Sequence, residues 1–120
     1  MLGNKWKEKY PNLSNAEYKK RIEGNKQILL QLSKHGDNPT TERDVLHYVY
    51  FTDINDCNAF QTDVIALGYE IKSTQASLGI VVTSHHQADK ETVDAVVLQL
   101  LNLAVARNGD YDGWETKICK

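Results

Sequence analysis

Val45-Leu46-His47-Tyr48-Val49-Tyr50-Phe51 is the most strand-like stretch of the chain, and it is apolar or aromatic at both parities of a period-two reading. One face carries Val45, His47, Val49 and Phe51, the other Leu46, Tyr48 and Tyr50. β-Branched and aromatic residues suit a pleated surface, and a strand loaded on both sides belongs inside a sheet. We take it as the central strand and read outward from it.

Towards the N-terminus, Asp37-Asn38-Pro39 is turn chemistry, and Gly36 ends a preceding helix at a left-handed position. That helix starts at Ser14-Asn15-Ala16-Glu17, which has the form of a capping box. Its stripe is Tyr18, Ile22, Asn25, Leu29 and Leu32, spaced for one face and interrupted by the polar Asn25. Over so short a length the stripe is expected to lie on the domain's own sheet rather than form a coiled-coil seam. Residues 1–13, with Lys5, Lys7 and Lys9, read as a flexible basic arm whose Trp6 and Tyr10 dock in part.

Towards the C-terminus, Thr52-Asp53-Ile54-Asn55-Asp56 offers N-cap oxygens to a helix buried through Phe60, Val64 and Leu67 and ended by Gly68. Tyr69 to Ser73 and Leu78 to Ser84 form a hairpin around Gln75-Ala76-Ser77. Asp89 caps a third helix facing inward through Val93, Val96, Val97, Leu100 and Ala104, which Asn108-Gly109 ends. Tyr111 to Cys119 reads as a last strand with Trp114, Thr116 and Ile118 on one side.

The order is therefore a leading helix followed by βαββαβ, an α+β domain of residues 14–120 with the ferredoxin-like antiparallel sheet. Right-handed crossovers place the first and third strands in the middle, the last beside the first and the second at the far edge. Both crossover helices then cover one face. The other face needs a cover, for which the leading helix, a second copy of the chain or a partner protein are the candidates.

Composition narrows the function. With 120 residues the chain makes one domain with a real core, and a net charge of −2 gives no general attraction to phosphate, so direct nucleic-acid binding is not expected. The start has no signal-peptide run and no window reaches a membrane span, which reads as cytoplasmic without membrane attachment. Cys57 and Cys119 have no ligand spacing and fit a reducing compartment without a disulfide.

His47 and His85-His86 fall at neighbouring strand ends and, with Asp44, would make a metal site, but the spacing matches no ligand motif and a structural or surface role is expected instead. Cys57 near a helix start has no committed base, and no glycine-rich phosphate loop occurs. No catalytic set, metal or cofactor is expected. RNA-recognition domains share this topology, yet Leu78 to Ser84 carries no aromatic, so Tyr48 and Tyr50 are better read as core or interface tyrosines.

Four segments in order point to a family. They are the leading helix before Gly36-Asp37, then His47-Tyr48-Val49-Tyr50-Phe51, then Phe60 with Leu67-Gly68-Tyr69, and last Asp110-Tyr111-Asp112-Gly113-Trp114-Glu115-Thr116 after a Leu-rich helix ending Arg107-Asn108-Gly109. Over residues 15–118 the chain resembles the ribonuclease E inhibitor family RraB, regulator of ribonuclease E activity B. That resemblance implies a bacterial, non-enzymatic protein whose partner is a ribonuclease E-type nuclease and whose effect is on RNA decay. The chain departs from the better-known members in having no long acidic C-terminal tail before Lys120. Asp112-Gly113 permits a bend or bulge and Trp114 anchors the strand, so Gly113 and Trp114 are read as structural. The expected partner contacts are exposed aromatics and charges near the last strand and the bare face: Tyr48, Tyr50, Tyr111, Asp112 and Glu115. The competing expectation is a self-associating domain, a homodimer through the bare face or a sensor of a small molecule.

Overall fold

The computed structural model describes residues 5–74 and 76–120. Eight elements follow in order: α1 (Lys5–Lys9), α2 (Asn15–Lys34), β1 (Arg43–Tyr50), α3 (Ile54–Ala66), β2 (Glu70–Ser73), β3 (Gly79–His86), α4 (Lys90–Ala106) and β4 (Asp110–Glu115). The strands form one antiparallel sheet in the order β2-β3-β1-β4, the arrangement expected for a ferredoxin-like domain.

Local chemistry sets the helix ends. Ser14 Oγ accepts from the Glu17 amide while the Glu17 carboxylate accepts from the Ser14 amide, a complete capping box. Asp53 caps α3 by accepting from the amides of Asn55 and Asp56, and Asp89 caps α4 at the Thr92 amide. Positive φ at Gly36, Gly68 and Asn108 turns the chain out of α2, α3 and α4 in the left-handed region.

Burial alternates strictly along β1. Arg43, Val45, His47 and Val49 are buried, and Leu46, Tyr48 and Tyr50 on the other face are half-buried. The inner residues meet Val82 and Ile80 of β3 and Tyr111 and Trp114 of β4 in register. Helix α4 contacts α2 on one flank and α3 on the other. All three long helices lie on this one side of the sheet.

The leading helix α2 therefore joins the layer of the crossover helices and leaves the opposite face bare. The polar break in its stripe explains its seat. Asn25 is fully buried, its Oδ1 accepting from Trp114 Nε1 at 2.8 Å and its Nδ2 donating to Asp94 Oδ1 at 2.9 Å. Arg21 lies over the Tyr111 ring, 4.8 Å from its centroid. From Lys5 onward the basic arm packs: Trp6 stacks on Tyr18, and Tyr10 and Leu13 enter the core. The first four residues of that arm, and Gln75 of the hairpin turn, lie outside the described residues.

Two expectations about β4 meet different outcomes. The bend at Asp112-Gly113 is a bulge, with Tyr48 opposite Gly113 and Val49 opposite Tyr111, so that Asp112 is the extra residue. The strand does not run on to Cys119 but stops at Glu115. Beyond it the chain is held by a buried ion pair. Asp37 Oδ1 accepts from Arg43 Nη1 at 2.6 Å and from the Cys119 amide at 2.8 Å, and Arg43 also donates to the carbonyls of Asn38 and Lys117. Burial alone would raise the Asp37 carboxyl, but these hydrogen bonds and the guanidinium charge outweigh it and hold it below the ordinary range.

Two glycines respond oppositely to an added methyl. A Cβ on Gly109 would lie 2.5 Å from Cε2 of Phe51, whose ring is buried and tilted against Phe60, whereas a Cβ on Gly24 within α2 meets nothing within 4 Å. Gly109→Ala is expected to destabilise the fold by about 1–3 kcal/mol through overpacking. Gly24→Ala is expected to stabilise it by about 0.5–1 kcal/mol through reduced backbone entropy in the unfolded chain. Urea denaturation of both variants checks the opposite signs.

Candidate functional site

The bare face is built by alternation. Leu46, Tyr48 and Tyr50 of β1 pair with Thr83, Val81 and Gly79 of β3, and beside these lie Glu70 and Lys72 of β2. On the other flank Leu46 pairs with Glu115 and Tyr48 with Gly113 of β4. No described helix covers this strip. The rim is charged: Asp44, Glu70, Lys72, Asp112 and Glu115 are exposed.

Tyr48 donates its hydroxyl hydrogen to Glu115 Oε1 across the β1–β4 pair. The accepting carboxylate pushes the Tyr48 phenol up, with smaller contributions from burial and charge. The Tyr50 ring lies against Gly79, where a Cβ would stand 3.0 Å from Cε1, so the glycine makes room for the aromatic. At the Leu46 end the surface dips into a depression of about 450 Å³ lined by Asp44, Leu46, Glu115, Thr116 and Lys117.

Of the residues expected to contact a partner, Tyr48, Tyr50, Asp112 and Glu115 are placed on the bare face or its rim. Tyr111 is not. It points to the helix side with 4% of its surface exposed, which removes it from any contact surface. Gly113 lies at the bulge and Trp114 is buried under α2.

The histidines diverge for the same reason of parity. His85 stands on the bare face, donating from Nδ1 to Asp44 Oδ1 at 2.8 Å. His47 is fully buried on the other side, so the two do not share a ligand sphere, and among the described residues no group of three or more His, Cys, Asp or Glu side chains is placed to hold a metal ion. Cys57 is buried in α3 and Cys119 is half-buried, both as free thiols.

His47 belongs instead to a polar chain that the sequence does not announce. Its Nδ1 is 2.7 Å from Tyr111 Oη and its Nε2 is 2.9 Å from Ser84 Oγ; Ser84 Oγ is 2.8 Å from His86 Nε2, and His86 Nδ1 is 2.7 Å from the Gln87 carbonyl. The carbonyl only accepts, so His86 Nδ1 carries a hydrogen. With His86 neutral, its Nε2 accepts from the Ser84 hydroxyl, Ser84 Oγ accepts from His47 Nε2, and His47 Nδ1 accepts from Tyr111. Each group has one partner on each side, and this orientation holds every hydrogen bond in one direction. The signal available in sequence was a polar residue at a core parity between Val45 and Val49, which must find internal partners.

Burial, and secondarily the charge of His86, push the His47 imidazole down from 6.5 to about 3. Burial likewise pushes the Tyr111 phenol far up, against the opposing pull of Arg21. The unfolded chain therefore takes up a proton at position 47 below pH 6.5 that the folded chain refuses until about pH 3, so stability falls as pH falls across that window. By pH 5 the loss from this residue is about 2 kcal/mol relative to pH 8. Urea denaturation at both pH values should show it, with the slope reduced in His47→Asn. Proton NMR should find the His47 ring signals unmoved from pH 8 to 5; a titrating His47 would contradict the buried neutral ring.

Comparison with known proteins returns a family described as regulator of ribonuclease activity B, matching residues 22–116. Two relatives carry that same name. The protein from Shewanella amazonensis is 27% identical over 106 residues, covering 82% of this chain and 75% of its own length. The one from Pantoea ananatis is 27% identical over 97 residues, covering 74% and 69%.

Proposed function

The chain belongs to the regulator of ribonuclease activity B family, and from that premise we propose that it is a non-enzymatic protein that binds a ribonuclease E-type endoribonuclease and lowers its activity. The observation that carries this reading is the bare sheet face. Leu46, Tyr48, Tyr50 and Val81 form a half-buried apolar and aromatic strip beneath no described element, and its rim is charged. Such a strip with a polar border has the anatomy of a protein-binding surface.

The use made of the reactive side chains supports binding over catalysis. Ser84, His47 and Tyr111 are buried and spend their hydrogen-bonding capacity on one another and on His86. Among the described residues no helix is long and apolar enough to cross a membrane. Action on RNA decay in the cytoplasm is consistent with that.

In the proposed complex the tyrosine rings supply contact area at low entropy cost, and the rim charges orient the partner. Tyr48→Ser/Tyr50→Ser should weaken binding to a purified ribonuclease E-type nuclease by about tenfold or more. The far-ultraviolet circular dichroism should stay unchanged, because both side chains face away from the core. An RNA-cleavage assay reads the effect: wild type slows cleavage saturably and the double variant does not. No binding by the wild type, or elution as a homodimer that the double variant breaks, would replace this reading with self-association.

A further inference from the structure

The buried polar chain that runs from Tyr111 through His47 and Ser84 ends at His86, the last residue of β3. His47, Ser84 and Tyr111 are 0%, 5% and 4% exposed, whereas His86 is half-buried. Together with Ser84 it lines a surface depression of about 400 Å³, walled on the far side by Leu67, Tyr69 and Glu70. The chain is closed at its core end, and its outer end stands beside water.

Hydrogens and hydrogen bonds are matched in number along it. With both rings neutral, three hydrogens make three bonds: Tyr111 gives to His47 Nδ1, His47 Nε2 to Ser84 Oγ, and Ser84 to His86 Nε2. The His86 hydrogen sits on Nδ1 and is taken by the Gln87 carbonyl. A proton at His86 Nε2 adds a fourth hydrogen to the same three contacts. Either Ser84 then keeps its own hydrogen unshared, or the whole chain reverses and the Tyr111 hydroxyl is left unshared. Among the described residues neither hydroxyl has another hydrogen-bond partner, and a buried donor without an acceptor is costly. Departure of the charged ring removes the conflict, because a water in its place accepts from Ser84 and leaves both bonds of His47 as they were.

The charges around His86 suit a cation outside the chain. Arg43 faces it in register from β1, but that guanidinium is already matched by Asp37. The other titratable neighbours are the neutral His47, His85 beside it on β3, Tyr69 and Glu70 across the depression, and Asp89 at the cap of α4. Burial raises the Asp89 carboxyl, yet hydrogen bonds from Thr92 and the charge of His86 hold it below the ordinary range. Its Oδ1 has no hydrogen-bond partner among the described residues. Glu70 and Asp89 therefore offer negative charge to an imidazolium that has left Ser84.

We propose that His86 is a pH-sensitive latch on the buried chain. Neutral, it accepts from Ser84 and closes the interior; protonated, its ring leaves Ser84 for the depression and water takes its place. His47 stays neutral throughout, so the latch changes the access of water to the chain and not the charge of the core.

The test follows solvent exchange of the hydrogen on His47 Nε2 by NMR of the nitrogen-15-labelled full chain at pH 8 and pH 5, with the carbon-bound ring signals of His86 reporting its protonation. His86→Gln offers Ser84 an amide oxygen that does not titrate, and His86→Ala removes the latch. At pH 8 wild type and His86→Gln should exchange alike, and His86→Ala about tenfold or more faster. At pH 5 wild type should exchange about tenfold or more faster than His86→Gln, which corrects for the pH dependence of exchange itself. Wild type matching His86→Gln at pH 5 with His86 protonated would overturn the latch, as would a His86 that stays neutral at pH 5. His86→Ala exchanging as slowly as wild type at pH 8, or His86→Gln as fast as His86→Ala, would show that the bond to Ser84 does not close the chain and would overturn it too.

Discussion

Val45, His47 and Val49 are fully buried on one face of β1, beneath a helix layer made of α2, α3 and α4. The rest of the molecule follows from that one-sided burial. A central strand with three of the described helices on one side and none of them on the other must pair its inward polar groups within, and must leave its alternate residues outside. Every side chain at an even position of β1 is thereby assigned to the outer face, and Leu46, Tyr48 and Tyr50 become surface by geometry rather than by polarity.

Three separate devices pair polar groups inside, whereas Asp89 Oδ1 at the cap of α4 is buried with no hydrogen-bond partner among the described residues. Asn25 joins α2 to β4 and α4 through Trp114 and Asp94. Arg43 and Asp37 fasten the α2–β1 turn to the end of the chain. The Tyr111–His47–Ser84–His86 chain crosses β4, β1 and β3 at core depth. A buried ion pair or histidine adds little to stability over an apolar replacement of equal volume, but losing one partner is costly because the other stays buried and unpaired. These groups therefore act mainly as positional locks, setting where α2 lies and in what register β4 ends.

The bulge at Asp112-Gly113 links this interior to the exterior. An extra residue on β4 lets Tyr111 and Trp114 both face the helices although they are three residues apart, and it turns Asp112 outward. Without it, one of the two large rings would point to the bare face. The interior lock at Trp114 and the acidic rim beside Tyr48 are thus two consequences of one irregularity.

Much of this was written in the sequence. The capping box at Ser14, the caps at Asp53 and Asp89, and the left-handed exits at Gly36 and Gly68 are local, so their residues determine them without reference to the rest of the chain. Strand order was legible too, because crossover handedness leaves few arrangements. What the sequence could not decide is which side of the sheet α2 takes, since an amphipathic stripe specifies that a face is buried and not against what. Tertiary contact settled it through Asn25 and Arg21. The same holds for Tyr111 and Tyr48, chemically identical residues whose fates differ only by strand parity across a bulge: one is locked onto His47 in the core, the other stands on the open face beside Glu115. Local propensity is carried by neighbours in the chain, whereas burial is carried by neighbours in space, and only the folded structure contains the second kind.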